Sequence, residues 1–453
     1  MDLKGKHAVV FGLGKTGESL VRFLLDKGAR VTVTDNSPAY HLEKIMAPMR
    51  QLPVNFHLGG HPAGIVSDAD LVVLSPGVPH TIDCIEQARR KNIPVIGEIE
   101  LAAGFIDTPV VAITGTNGKT TTTRLIGCML EHSGKKVFIG GNLGRPLIDY
   151  AAAGQGADVA VVEVSSFQLD TIVHFRPKVG VLLNITADHL DRYADFQAYA
   201  RSKGRLFRNQ TAADTAVLNA GDGEILHVTR NIKSRRCMFN QNQPDRCGAV
   251  ISDFGIRINM PDAEEMVVKK DLVPLVGRHN LENTAAAILA ALSAGASHEG
   301  VLSALSGFVP DPHRIEFVAT VDNVSYYDDS KGTNVDATAR AIEALSAPLI
   351  LIAGGRDKLG GYGALRDPVR KNVKFLIVMG ESANAIDAAL NDVVETRHAP
   401  SMAEAVQTAA DIALAGDKVL LSPACSSFDM YENYATRGQD FQLCVRSLKR
   451  DAI

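Results

Sequence analysis

Long apolar runs are missing from this 453-residue chain. No stretch approaches the roughly 18 consecutive apolar residues of a membrane-spanning helix. The first six residues lead into one short apolar strand stopped by Gly12, too brief for the apolar segment of a secretory signal. Both absences lead us to expect a soluble protein that works in the cytoplasm, with no membrane partner. Cysteine is scarce as well. The six cysteines, at positions 84, 128, 237, 247, 425 and 444, form no Cys-x-x-Cys pair. That spacing points to neither a zinc site nor a disulfide framework, so reduced thiols are expected. Nor is there an excess of basic charge: 47 Lys and Arg against 51 Asp and Glu leave a net charge of −4. This argues against nucleic acid as a partner, and any anionic small substrate has to be met by local cations.

What remains is ordinary globular composition, 46% apolar and 22% charged, in a chain long enough for about two to four domains. A strand-like run over 8–11 is followed by a glycine loop and an amphipathic segment ending at Lys27. Further strands are expected over 31–35 and 71–74. This alternation predicts a parallel, doubly wound sheet. A second unit opens with a strand over 110–113 and continues with strands over 159–162 and 179–183. Between 236 and 275 it passes through an irregular stretch expected to be a small antiparallel excursion, and an Ala- and Leu-rich helix over 283–294 follows. Pro310 and Pro312 mark a linker to a third unit, with strands over 349–352, 375–378 and 419–421. The fold expected is α/β in three domains: Rossmann-like over 1–96, P-loop ATPase-like over 97–308, and Rossmann-like again over 309–453.

Two glycine-rich loops carry the chemistry. Gly12, Gly14 and Gly17 form a Gly-x-Gly-x-x-Gly turn between strand and helix, and Asp35 ends the next strand at the spacing of a ribose-binding acid. Alone, this pattern fits a dinucleotide-dependent oxidoreductase, another nucleotide site, or a tight turn with no ligand. The second loop, Thr114-Gly115-Thr116-Asn117-Gly118-Lys119-Thr120-Thr121, also follows a strand and opens a helix, although Ile113 stands where a P-loop has its first glycine. Its backbone N–H groups would cradle phosphate oxygens, Lys119 would neutralise them, and Thr120 would ligate Mg²⁺. A dehydrogenase has no use for the second loop, and a simple ATPase has none for the first. A chain that holds a nucleotide-linked substrate in one domain and ATP in the next uses both.

Further motifs run through the whole chain: Gly140-Gly141-Asn142-Leu143-Gly144, Glu163-Val164-Ser165-Ser166-Phe167-Gln168-Leu169, Asn184-Ile185-Thr186-Ala187-Asp188-His189, Gly277-Arg278-His279-Asn280, His313-Arg314, Asp329-Ser330-Lys331-Gly332-Thr333-Asn334 and Ser422-Pro423-Ala424-Cys425-Ser426-Ser427. In this order they resemble the Mur ligases of peptidoglycan synthesis. The compact length and the last two motifs are similar to the D-glutamate-adding branch. The resemblance implies UDP-N-acetylmuramoyl-L-alanine and D-glutamate as substrates, ATP and Mg²⁺ as cofactors, and a monomer.

It also assigns residues. Leu13, Lys15, Thr16, Asp35 and Asn36 would hold the uridine diphosphate end, and Asn142 and Gln168 the middle of that substrate. Asn280 and Asn283, three apart on a helix, would read adenine; Arg314 and Asp329 would contact the rest of ATP. Glu163 and His189 would ligate Mg²⁺, joined by Lys203 if it is carbamylated. Lys331, Thr333, Lys358, Ser427 and Tyr434 would receive the amino acid. Read without the resemblance, Glu163 lies at the carboxyl end of a buried strand, where α/β ligands gather, with a surface acid as the alternative; His189 is a structural histidine and Lys203 a solvated helix lysine, and the alternative for Lys358 is an exposed loop charge. A nicotinamide oxidoreductase or a binding module without turnover stays open on the residues alone.

Overall fold

The computed structural model describes residues 1–142, 144–154, 156–190, 192–243, 247–261, 263–357 and 361–448. Strands His7–Phe11, Arg30–Asp35, Val54–Leu58, Leu71–Leu74 and Val95–Gly97, numbered β1 to β5, form a parallel sheet in the order β3-β2-β1-β4-β5. β1 after His7 and the whole of β4 are apolar, and both strands are buried throughout, as strands covered on both faces must be. The strand order reverses between β1 and β4, and open α/β sheets bind ligands in the crevice that such a reversal leaves at the carboxyl ends of the strands. Gly12 (φ +90°) makes the turn there. A Cβ on Gly17 would lie 2.2 Å from the Gly12 carbonyl oxygen, so only glycine lets this helix start so close to the strand.

The second sheet has nine strands: Val110–Thr114, Val137–Gly141, Val159–Glu163, Val179–Leu182, Thr215–Asn219, Arg235–Phe239, Gly248–Ser252, Gly255–Asn259 and Met266–Lys269, numbered β6 to β14. Their order is β14-β13-β12-β11-β10-β9-β6-β8-β7. The antiparallel excursion is β12 to β14, and it extends the sheet: β12 pairs parallel to β11 through Met238 and Gly248. That pairing corrects the expectation for cysteine. Cys237 on β11 and Cys247 at the start of β12 come to a Cα separation of 4.7 Å and form a disulfide. Spacing in the sequence carries no trace of it, because the register of two strands creates the proximity. The other four cysteines are free.

The third sheet holds Glu316–Val321, Val324–Asp328, Leu349–Gly354, Val373–Met379, Glu395–His398 and Lys418–Leu421, numbered β15 to β20, in the order β15-β16-β20-β17-β18-β19. All its pairings are parallel except β15 with β16. Among the described residues no helix is long and apolar enough to cross a membrane.

Candidate active site

Two adjoining clefts lie at the carboxyl ends of the central strands. The larger by volume, about 880 Å³, opens at the β1/β4 switch point and is lined by Gly12 to Thr16, Asp35, Asn36, His61 and the turn after β4. The other, about 720 Å³, lies between the second and third sheets. Asn142 lines both.

In the first cleft Asp35 organises the loop. Its two carboxylate oxygens accept the backbone N–H groups of Leu13 and Ser37, each at 2.7 Å. Lys15 reaches over to donate to the Gly144 carbonyl at 2.6 Å, tying the first sheet's loop to the second unit. His61 shares a 2.8 Å hydrogen bond with Thr34 and packs on Phe11, and burial holds its pKa below the usual histidine value.

In the second cleft the loop after β6 is braced from behind. Gly118 adopts φ +85°, with its α-carbon so near Asn283 that a Cβ would fall 2.2 Å from the amide oxygen. Asn184 accepts the Asn117 N–H at 2.8 Å and returns a bond to the Asn117 carbonyl. Thr116 donates to the Thr186 carbonyl and meets the Tyr199 hydroxyl. Lys119 Nζ donates to the carbonyls of Gly115 and Thr116. Lys203 overturns its reading as a solvated lysine: it is 1% exposed, donates to the Gly115 carbonyl at 2.8 Å, and lies over the Tyr199 ring. Burial, with Lys119 close by, holds its pKa well below the usual lysine value. Its helix, Phe196–Gly204, packs that face against the loop, which a local reading of a polar helix does not reveal.

Glu163 is not a surface acid either. It is 4% exposed; Thr120 donates to one carboxylate oxygen at 2.8 Å and Asn142 to the other at 3.0 Å. A carboxylate and a hydroxyl meeting at a phosphate-type loop is a donor set that fits a hard divalent cation. His189, at φ +55°, lines the same cleft with its ring against Phe167.

The third sheet supplies the opposite wall. Arg314, Asp329, Lys331, Thr333 and Tyr434 line the cleft from that side, and Asn280 and Asn283, bonded to each other at 3.2 Å, line it from the helix Arg278–Ser293 of the second unit. Burial raises Asp329 to about 7, against a 2.7 Å bond from Ser422. Burial and the neighbouring Arg314 lower Lys331 to about 8. Several residues here escaped the sequence reading. Asp311 forms ion pairs with Arg124 of the second unit and with Arg314 and Lys331 of the third. Asp336 accepts from Asn117 at 2.7 Å and from Arg340 at 2.9 Å. His279 is pushed down to about 4 by burial and the adjacent arginines Arg340 and Arg314. Arg437, buried with no ion pair to a carboxylate among the described residues, donates to Ser330 and to the carbonyls of Gly354, Cys425 and Ser426. Each belongs to a contact between distant segments, so no local pattern announces it.

Gly115 and Lys203 line neither cleft, being bonded to each other behind the loop, and two further expected residues also line neither. Gln168 is buried in a capping box with Ser165 at the start of the helix Ser166–Leu169. Ser427 is buried in its loop, its carbonyl accepting from Met430 and Tyr431. Lys358 lies outside the described residues.

A family model for the Mur ligase middle domain matches residues 113–291. The Mur ligase MurD-like N-terminal domain matches 6–97, and the Mur ligase glutamate ligase domain 313–425. The chain belongs to the Mur ligase family. It is similar to the UDP-N-acetylmuramoylalanine--D-glutamate ligase of Desulfosudis oleivorans, 48% identical over 449 residues, covering 99% of this chain and 98% of that protein. The protein of the same name from Desulfatibacillum aliphaticivorans is 47% identical over 448 residues, covering 99% and 100%. Among solved structures, the pseudomurein peptide ligase type C from Methanothermus fervidus shares the fold at TM-score 0.63 and 20% identity, covering 98% of this chain and 100% of that one. MurF from Acinetobacter baumannii does so at 0.62 and 17%, covering 97% and 91%. Mur ligase membership sets aside the oxidoreductase and the inert binding module. The Gly-x-Gly-x-x-Gly loop of a Mur ligase has no need of nicotinamide.

Proposed function

We propose that this Mur ligase joins D-glutamate to UDP-N-acetylmuramoyl-L-alanine at the expense of ATP, in cytoplasmic synthesis of peptidoglycan precursors. One observation carries the reading. Two clefts meet at Asn142, one built around a nucleotide-type loop and the other around a P-type loop. A nucleotide-linked substrate can lie in the first and present its carboxylate in the second. The names of the similar proteins support the amino acid.

On this reading residues 1–96 bind the sugar nucleotide, 97–308 bind ATP and 309–453 bind D-glutamate, within a single chain acting as a monomer. Leu13, Lys15, Thr16, Asp35 and Asn36 hold the uridine diphosphate end, and Asn142 and Gln168 the middle. The backbone of Gly115 to Thr121 and the Lys119 ammonium hold the phosphates of ATP. Asn280 and Asn283 read adenine, and Arg314 and Asp329 contact the rest of the nucleotide. Lys331, Thr333, Lys358, Ser427 and Tyr434 receive D-glutamate. The L-alanyl carboxylate attacks the γ-phosphorus, and ADP leaves with the electron pair of the broken P–O bond. The amine of D-glutamate then attacks the acyl carbon, and inorganic phosphate departs. Lys119 and Arg314 reduce the repulsion between carboxylate and phosphate, and closure of the cleft keeps water from the acyl phosphate. Thr120, Glu163, His189 and carbamylated Lys203 would hold Mg²⁺, which supplies further charge neutralisation at the phosphates. The buried Lys203 supports the modification, since an uncharged amine is the form that adds CO₂.

The test is phosphate release with the sugar nucleotide, ATP and a panel of amino acids. Strict dependence on D-glutamate is expected; equal turnover with L-alanine or a diamino acid would overturn the assignment.

A further inference from the structure

Away from both clefts, a concavity of about 410 Å³ lies on the outer side of the helix Phe196–Gly204. Its floor is apolar: Phe207, Val228 and Ile232 line it with Gly204. Gly204 permits the close approach of the helix Gly223–Val228, because a Cβ there would stand 3.1 Å from the Val228 Cβ. Its rims are basic. Arg201, Arg205 and Arg208 stand on one side at a spacing that repeats on one helical face, and His227, Arg230 and Lys233 on the other.

Among the described residues, no acidic one lines this concavity. Among the described residues, Arg201 is the only one of the six with an ion pair, to Asp195 at 3.9 Å. The nearby carboxylates are engaged elsewhere. Asp214 pairs with Arg176 and Lys178, Asp222 caps the helix Gly223–Val228, and Glu224 accepts from Gln197. The Arg205 Nε is buried without a hydrogen-bond partner, while the field of its guanidinium also reaches Asp170. Two rims of one sign facing each other within about a Debye length repel, and a multivalent anion between them reverses the sign of that interaction.

We infer that this concavity is a binding site for a small polyphosphate-class anion. Guanidinium groups present paired N–H donors that match phosphate oxygens. The volume suits a short phosphate chain. The net charge of −4 on the chain as a whole opposes extended polyanions such as a lipid surface or nucleic acid. The site is separate from the ligase chemistry, although Lys203 on the opposite face of the same helix braces the loop after β6.

Calorimetric titration of the full chain with sodium tripolyphosphate tests the inference, using the wild type, R208E/R230E and R208K/R230K. The expected result is a salt-sensitive binding event that weakens by at least about tenfold in the double charge reversal, the loss of one or two charge-assisted hydrogen bonds, and persists in the lysine variant. Phosphate release is expected to be unchanged in both variants, which establishes that they are folded. Identical isotherms for wild type and R208E/R230E would overturn the site. So would charge-dependent binding to phosphatidylglycerol vesicles with no tripolyphosphate event sensitive to the same substitutions.

Discussion

The two glycine-rich loops share a local geometry and differ in everything around it. Each follows a buried central strand and opens a helix. Around the first, one exposed lysine bonds to a neighbouring loop and one aspartate spends both oxygens on backbone N–H groups. Around the second, Lys119, Glu163, Arg314, Asp329 and Lys331 line one enclosure with Lys203 bonded to the loop behind it, several of them buried with displaced pKa values. A glycine loop suffices to hold phosphate. Moving a phosphoryl group also requires fixed charges in a place from which water is excluded.

The comparison can be broken at its lysines. Lys119→Ala should lower kcat for phosphate release by about a thousandfold, on the order of 4 kcal/mol of transition-state stabilisation. A residual rate within tenfold of wild type would mean that the second loop does not do the chemistry.

The joint between the clefts gives the next effect. Glu98, fully buried, accepts the Ile148 N–H at 2.7 Å and so anchors the segment that carries Asn142 and Gly144. Burial raises it to about 7. A carboxyl whose pKa is raised on folding binds more protons folded than unfolded, so its favourable contribution is complete below about 4.5 and lost as pH rises through about 7. Denaturant unfolding of the wild type should therefore show a decline over that window of up to roughly 3 kcal/mol. Glu98→Gln should flatten that part of the decline, and an unaltered slope would refute the burial argument.

Asp35→Ala removes the side-chain acceptors of two backbone N–H groups, those of Leu13 and Ser37. It should raise KM for the sugar nucleotide about tenfold with kcat nearly intact. Smallest of all, Lys15→Ala should raise that KM by about threefold, since an exposed lysine contributes little. Steady-state kinetics on both variants decide the matter, and a fall in kcat as large as that of Lys119→Ala would erase the contrast between the loops.

The glycine loops and most strands were legible because each is a local pattern: an apolar run, then residues that permit a turn. The Lys119-Thr120 pair and the acid closing β8 were legible for the same reason. The Lys203 environment was not, because a helix lysine reads alike whether its face meets water or the back of a phosphate loop. Asp311 and Asp336 were missed because their importance lies in partners from another sheet, Arg124 and Asn117. For Gln168 the resemblance points to a substrate contact, and the structure adds a capping box with Ser165 that no substrate motif announces.

The amino-acid sequence by itself determined the three α/β units, the two phosphate-type loops and the family, since backbone turns and strand burial follow from residues close together in the chain. Tertiary structure alone decided which charges are buried, that Cys237 meets Cys247, and that the two clefts join at Asn142. Those depend on strand register and on how the sheets face each other, and no spacing within a motif records either.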